Sequence, residues 1–198
     1  MLRLYDSRLS GNAWKVRILL TQLGIPFERV TLDLAKGAAS EPAFRAKSRF
    51  ARVPVLELED GRTLVESAAI LLYLAEGTPM LPDDKYLRAE VTSWLAFEQA
   101  DLVRALSLPR FYTMRGIADQ MAQRIADFQE GAYPALAKLD DWLASHEWLV
   151  DGRYTVADIG VYGYVSMAGQ GGYDMARFPA IAAWIARFES QPGWVPLV

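Results

Sequence analysis

The first 77 residues alternate between short β-type runs and helical runs, and this order restricts the fold more than any other feature of the chain. Apolar residues at every second position predict a strand, whereas spacings of three and four predict a helix. The Asp60-Gly61 pair between two of the strands is typical of a hairpin turn. The predicted elements, in order, are a strand at 2–5, a helix at 14–23, a strand at 27–32, a helix at 41–47, strands at 53–58 and 62–65, and a helix at 67–76.

This order predicts a thioredoxin-like α/β domain over residues 1–77. Strands joined by a helix should be parallel, and the hairpin strands antiparallel. Residues 77–84 contain one Gly, two Pro and two Asp, which indicates a linker. Residues 85–198 form a predicted all-α domain. Its helices are predicted at 85–106, ending before Pro109, at 117–145 with a bend near Gly131 or Pro134, from 155 to about 167, and at 179–190.

The composition excludes several classes of function. The 198 residues carry a net charge of −3, no cysteine and a single histidine, His146. A slightly acidic chain lacks the basic field of a nucleic-acid binder. The lack of cysteine excludes disulfides, thiolate metal sites and cysteine nucleophiles, and one histidine argues against a metal centre or a histidine triad. No apolar run reaches the roughly 18 residues of a membrane span. We therefore expect a cytoplasmic protein without a metal, a nucleic-acid partner or a membrane segment.

Val53-Pro54 stands where the third strand begins. A proline is tolerated there simply because it has no N–H to donate, and most X-Pro bonds are trans. The functional interpretation is a cis bond that turns the backbone of Val53 outward. Its N–H and C=O then pair with an extended peptide in the way that an added strand does.

Glu66-Ser67 stands where the fourth strand gives way to a helix. Ser67 alone is explained as a helix cap. The functional interpretation uses the same geometry, because a helix N-terminus with free N–H groups binds a carboxylate. Glu66 would take an ammonium group, so the pair is suited to the α-amino acid end of a ligand.

The loop before the first helix contains Ser10 and Asn12, both of which are also common helix caps. A functional interpretation requires a thiol substrate, whose pKa of about 8.5 leaves little thiolate at neutral pH. Lowering that pKa by about two units takes roughly 2.7 kcal/mol. One hydrogen bond to the anion and a helix dipole together supply about that much. The thiolate needs neither a metal nor a general base.

Taken together, Ser10-x-Asn12, Val53-Pro54, Glu66-Ser67 and Thr155-x-x-Asp158 resemble the cytosolic glutathione S-transferases over essentially the whole chain. The resemblance implies the glutathione S-transferase fold, a cis bond at Pro54, a homodimer and a role in detoxification. Residues 10–17 are similar to the zeta-class stretch Ser-Ser-Cys-x-Trp-Arg-Val-Arg but carry Asn12 in place of Cys. Theta-class members also use serine, and bacterial nu-type members show Thr-Pro-Asn here, so the class stays open.

The resemblance also implies roles for particular residues. Ser10 and Asn12 are both candidates to stabilise the thiolate of glutathione, which acts as co-substrate. The glutathione-binding residues are expected to be Lys36, Val53, Pro54, Glu66 and Ser67, although Lys36 is equally well explained as a solvated loop lysine. In the family the second substrate lies between the Ser10 loop and the first two helices of the C-terminal domain. The candidates there are Arg104, Arg110, Phe111, Tyr112 and Met114, the last three in a predicted helix–helix connection after Pro109.

Two functions follow from this pattern. The first is a glutathione transferase that adds the thiolate to a small electrophile, with accessory peroxidase or isomerase activity. The alternative is a non-catalytic binding or regulatory protein with the same fold. Thr155 and Asp158 are expected to form a helix-capping pair whose loss lowers stability by about 0.5–2 kcal/mol without affecting catalysis.

Overall fold

The computed structural model describes residues 1–198, which form two compact units. The first unit comprises Met1–Leu81 together with Gln191–Val198, and the second comprises Pro82–Ser190. The division after Leu81 lies inside the segment 77–84 that the sequence identifies as a linker. The segment 191–198 belongs to the first unit, whereas the sequence predicts it as part of the helical domain.

The first unit is built on a four-stranded mixed sheet. Its strands are β1 (Leu2–Asp6), β2 (Phe27–Thr31), β3 (Val55–Glu57) and β4 (Thr63–Val65), and its helices are α1 (Gly11–Gln22), α2 (Pro42–Arg45) and α3 (Ser67–Ala75). The strand order is β2-β1-β3-β4. β1 and β2 are parallel and β3 is antiparallel to both of its neighbours, which confirms the predicted crossover and hairpin.

Several element boundaries differ from the prediction, and three of the differences in the first unit have a local explanation. β3 begins at Val55 instead of Val53, since Pro54 has no N–H for a ladder hydrogen bond. α1 begins at Gly11 instead of Trp14, because Ser10 already caps it. α2 covers only Pro42–Arg45, with proline in its first turn, the position where a missing N–H matters least.

The second unit is helical. Its helices are α4 (Lys85–Phe97), α5 (Val103–Met114), α6 (Ala122–Leu143), α7 (Val156–Val165) and α8 (Pro179–Glu189), and a π-helical segment (Glu98–Leu102) joins α4 to α5. α7 is buried along its whole length and packs against α4 and α8. None of the helices combines the length and hydropathy that crossing a membrane requires.

The prediction that Pro109 ends a helix is wrong, because Pro109 lies inside α5. A proline within a helix leaves the carbonyl four residues earlier without its donor. Here that carbonyl belongs to Ala105, and the Tyr173 hydroxyl donates to it at 2.8 Å. The Tyr173 hydroxyl thus replaces the missing N–H, and the helix continues to Met114. The predicted helix–helix connection at 111–114 is therefore the last turn of α5.

A buried ion cluster ties the C-terminal segment to α1 within the first unit. Asp6 is fully buried, and its Oδ2 lies 3.0 Å from Arg17 Nε and 2.6 Å from Arg29 Nε. Burial raises the pKa of Asp6 and lowers that of Arg17, so their mutual attraction offsets a desolvation cost. Arg17 also donates to the carbonyls of Pro196 and Leu197, the latter at 2.6 Å. No pattern in the sequence indicates this arrangement.

Replacing Arg17 with methionine should lower the free energy of unfolding by about 3 kcal/mol, since a buried carboxylate loses one of its two cations. Hydrogen exchange at 191–198 should also accelerate, because two carbonyl acceptors in that segment lose their donor. Chemical denaturation and exchange mass spectrometry measure the two effects. The exposed Arg124 on α6 provides a matched arginine-to-methionine control. Unchanged exchange at 191–198 would contradict the anchoring role.

Candidate functional site

Three of the predicted site segments leave the sheet at one edge. Because β1 and β3 are antiparallel with Tyr5 opposite Val55, the end of β1 adjoins the start of β3. Val55 is in turn opposite Val65, the last residue of β4. The strand register therefore gathers loop 7–10, Val53-Pro54 and Glu66-Ser67 at this edge.

Asn12 and Ser67, which are 55 positions apart in sequence, approach each other directly. The Ser67 hydroxyl donates to Asn12 Oδ1 at 3.4 Å. The same Asn12 oxygen accepts a shorter hydrogen bond, 2.8 Å, from Lys15 Nζ. Ser67 and Lys15 are buried, whereas Asn12 is partly exposed. A predicted thiolate-binding residue and a predicted carboxylate-binding residue thus belong to one hydrogen-bonded group.

Ser10 is the N-cap of α1. Its backbone is extended, with φ −78° and ψ 112°, and its Oγ accepts from the Ala13 N–H at 3.2 Å. A hydroxyl that accepts one hydrogen bond can still donate its own proton. Ser10 is partly exposed, so capping the helix and donating to a bound anion are compatible roles.

The N-terminus of α3 has the features of an anion site. Glu66 at its cap makes no side-chain capping bond, so the first N–H groups of α3 are left for another acceptor. Glu66 also has φ 70° and ψ 120°, a conformation that residues with a side chain rarely adopt. Such strain persists at functional sites when the surroundings hold it in place. The Glu66 side chain is exposed beside this helix end.

The Val53-Pro54 peptide bond is cis. The N–H and C=O of Val53 take no part in the hydrogen bonds of the strands, turns and loops. The Val53 side chain packs against a small apolar cluster of Phe44, Val55 and Val65. The backbone of Val53 is therefore held at the edge of the sheet with a donor and an acceptor that the chain itself does not use.

Two family models match the chain. The glutathione S-transferase N-terminal domain matches residues 4–80, and the glutathione S-transferase C-terminal domain matches residues 103–192. The chain belongs to the glutathione S-transferase family. Both halves of the family fold are represented, in the order that the two structural units show.

Individual relatives agree with this family. The disulfide-bond oxidoreductase YfcG of Escherichia coli is 27% identical over 91% of this chain and 87% of its own. Mouse glutathione S-transferase theta-1 is 29% identical over 98% of this chain and 84% of its own. The crystal structure of a glutathione S-transferase from Pseudomonas fluorescens superposes with a TM-score of 0.97, is 36% identical and covers 100% and 98% of the two chains.

Tyr5 in β1 also carries a hydroxyl, but this group is engaged elsewhere. Its hydroxyl donates to Glu57 Oε2 at 2.6 Å, and Lys47 Nζ lies 2.9 Å from the same oxygen. Burial, followed by the bond to Glu57, raises the pKa of Tyr5. A raised pKa opposes phenolate formation, so Ser10 and Asn12 remain the candidates on the sulfur.

Lys36 ends a short 3-10 turn, 34–36, in the loop after β2. Its side chain is 86% exposed, and its Nζ lies 3.7 Å from Asp33 Oδ2. A weak local ion pair leaves this lysine available to a ligand but does not hold it in place. Its contact with the glycine carboxylate of glutathione stays a prediction.

The predicted second-substrate residues of the helical unit differ in exposure. Arg110 is buried, donates to Gln170 Oε1 at 2.7 Å, and has a pKa lowered by burial. Tyr112 is buried as well. The other three side chains, Arg104, Phe111 and Met114, are exposed on α5. Within this unit, three of the five are accessible and two are packed, and their role toward a substrate stays a prediction.

Sequence reasoning missed Lys15 as a member of the site. It lies on α1 one turn after Asn12, between the apolar positions Trp14 and Val16. A signal was present, because a charged residue within an otherwise apolar helix face is unusual unless it is paired. Its partner became visible only in three dimensions.

Proposed function

We propose that this protein binds glutathione at the sheet edge, stabilises its thiolate with Ser10 and Asn12, and adds the sulfur to a small electrophile. The observation that carries the proposal is the Asn12–Ser67 contact of 3.4 Å, which joins the thiolate-binding loop to the anion-binding end of α3. Glutathione carries a thiol and a γ-glutamyl carboxylate on one short tripeptide. The contact brings a candidate group for the thiolate and a candidate group for the carboxylate onto neighbouring segments.

Each part of the site has a chemical counterpart in glutathione. The free N–H groups of α3 suit the γ-glutamyl carboxylate, and the Ser67 hydroxyl would turn from Asn12 to the same carboxylate when the ligand binds. The exposed carboxylate of Glu66 suits the neighbouring ammonium. The backbone of Val53 suits the cysteinyl peptide group, which it would bind as an added strand does. Lys36 is assigned to the glycine carboxylate.

The chemistry needs only a modest shift in the thiol pKa. A donated hydrogen bond from Ser10 or Asn12, together with the N-terminus of α1, supplies roughly 2–4 kcal/mol of preference for the anion. The thiol proton passes to solvent. The sulfur lone pair then forms a bond to an electrophilic carbon, and a leaving group such as halide departs with its bonding electrons.

Ser10→Ala and Asn12→Ala test this mechanism. We expect at least one to lower kcat/KM with a generic aromatic halide by about 10- to 100-fold at pH 6.5, since one charge-assisted hydrogen bond is lost. Steady-state kinetics against pH measure the effect, and the exposed Ser93 of α4 offers a matched serine-to-alanine control. Full activity in both variants would contradict the assigned roles. No glutathione binding at millimolar concentration by calorimetry would favour a non-catalytic protein.

A second reaction is suggested by the name of one relative, a disulfide-bond oxidoreductase. This chain has no cysteine, so glutathione must supply every thiol. One glutathione thiolate attacks a substrate disulfide, which breaks its S–S bond and releases one substrate thiol. A second glutathione thiolate attacks the glutathione sulfur of the mixed disulfide, which gives glutathione disulfide and releases the other substrate thiol. Turnover of a small organic disulfide faster than of the aromatic halide would favour this reaction over conjugation.

A homodimer and a cytoplasmic location belong to the same proposal and rest on membership of the family. Light scattering after gel filtration tests the homodimer. A monomer at micromolar concentration would contradict it.

A further inference from the structure

Lys15 is a fully buried charged residue in the first half of α1. Its Nζ lies 2.8 Å from Asn12 Oδ1, one helical turn earlier. A buried ammonium is costly unless hydrogen bonds or charges compensate it, so its contacts within the fold are specific ones. The short contact with Asn12 fixes the position of the two side chains relative to each other.

The lysine determines which way the Asn12 amide faces. An ammonium group has three donors and no acceptor, so the amide atom opposite it must be the oxygen. The Ser67 hydroxyl, at 3.4 Å, lies on the same oxygen. The Asn12 Nδ2 group makes none of the hydrogen bonds within the chain. Its two N–H bonds are therefore available as donors on the partly exposed side of the residue.

We propose that Lys15 is a positioning residue, which orients the Asn12 amide so that its Nδ2 group donates to the glutathione thiolate. This inference rests on the proposed function and extends it to a residue that does not touch the sulfur. The ammonium also withdraws electron density from the amide oxygen, which makes the N–H groups better donors. Lys15 thus lowers the thiol pKa through Asn12 and leaves the γ-glutamyl end of the ligand to α3.

The test measures the thiol pKa of bound glutathione from the ultraviolet absorbance of the thiolate. Lys15→Met should raise that pKa by about one unit, which corresponds to about a tenfold loss of kcat/KM at pH 6.5. The loss should shrink toward zero above about pH 9, where the thiol ionises without help. Glutathione affinity should change less than threefold. Lys15→Arg should recover most of the shift, and Lys138→Met on the exposed face of α6 is the matched lysine control.

Two further variants show whether Lys15 acts through Asn12. In an Asn12→Ala background, Lys15→Met should add little to the pKa shift, because the amide it orients is gone. In Asn12→Asp one carboxylate oxygen still accepts from Lys15, but the other replaces the Nδ2 donor that faces the sulfur. The thiol pKa of bound glutathione should therefore rise more in Asn12→Asp than in Lys15→Met. The aspartate variant also serves if Lys15→Met does not fold.

Several results would overturn the inference. The first is a thiol pKa that does not change in Lys15→Met. The second is a shift from Lys15→Met that is just as large in the Asn12→Ala background. The third is a thiol pKa in Asn12→Asp equal to that of the wild type. A rate loss equal at every pH would instead indicate a purely structural lysine. A wild-type protein that binds no glutathione would contradict the proposed function and the inference together. If the wild-type protein lowers the thiol pKa of bound glutathione and substitution of Lys15 does not change that pKa, only the inference is contradicted.

Discussion

Asp158→Ala should lower the free energy of unfolding by about 3–5 kcal/mol, the largest stability effect that we expect from one substitution. Asp158 is fully buried near the start of α7. Its Oδ1 accepts from the Leu149 N–H and from Trp184 Nε1, both at 3.1 Å. Its Oδ2 accepts from the N–H and the hydroxyl of Thr155, at 3.0 and 3.3 Å. Alanine would leave these buried donors without an acceptor.

This effect exceeds the 0.5–2 kcal/mol expected of a helix cap, because two of the four donors lie outside the cap. Leu149 precedes α7, and Trp184 lies on α8. The carboxylate therefore connects α8 and the preceding segment to the first turn of α7. Thermal or chemical denaturation measures the loss, and a change below about 1 kcal/mol would show that Asp158 is only a cap. Glutathione binding by the first unit should survive in whatever fraction stays folded.

The stability contributed by Asp158 should also depend on pH. Burial raises its pKa from 3.8 to about 6, so the folded protein binds a proton more tightly than the unfolded chain. For a carboxyl with a raised pKa, stability increases as the pH falls through about 6 toward 3.8. Asp158→Asn lacks this titration. The stability gap between wild type and Asp158→Asn should therefore widen by about 1 kcal/mol from pH 7 to pH 5. Denaturation curves at the two pH values measure the gap, and a constant gap would contradict the raised pKa.

Glu66→Gly should weaken glutathione binding by about 10- to 100-fold while leaving the protein as stable as wild type, or about 1 kcal/mol more stable. The affinity falls because the carboxylate that pairs with the γ-glutamyl ammonium is removed. The stability does not fall because glycine adopts the φ of 70° without strain. This relief of strain outweighs the larger conformational entropy that glycine loses on folding. Calorimetry with glutathione and thermal unfolding measure the two quantities.

Two further substitutions at Glu66 separate the causes. Glu66→Ala removes the carboxylate but keeps the backbone strain, so it should lose affinity without gaining stability. Glu66→Gln keeps the size and removes the charge. If Glu66→Gly binds glutathione as tightly as wild type, the side chain has no part in recognition. If it is clearly less stable than Glu66→Ala, the backbone conformation is not strained.

The sequence predicted structural features well where the signal is local. The Asp60-Gly61 turn, the Ser67 helix start and the Thr155–Asp158 capping box depend on residues close together in the chain, and the structure shows all three. The prediction that a helix ends at Pro109 is wrong because the deciding contact is distant in sequence. The donor that allows α5 to continue comes from Tyr173, 68 positions away, and no local pattern reports it.

The candidate site likewise combines features that the sequence predicts with features that depend on contacts in three dimensions. Ser10, Asn12, Val53 and Glu66-Ser67 were predicted as site residues from the sequence, because each lies at or beside the boundary of a predicted strand or helix. The sequence by itself therefore determined which residue types are available to a ligand and where the elements carrying them begin.

Only the tertiary structure decided how those residues work together. The strand register gathers the loops at one edge, and packing buries Lys15 against Asn12 and brings Ser67 to the same amide oxygen. Burial also converts Asp158 from a cap into a connection between helices and raises its pKa. The physical reason is common to all of these features. Hydrogen-bond partners and desolvation depend on distances in space, whereas a sequence pattern reports only the spacing along the chain.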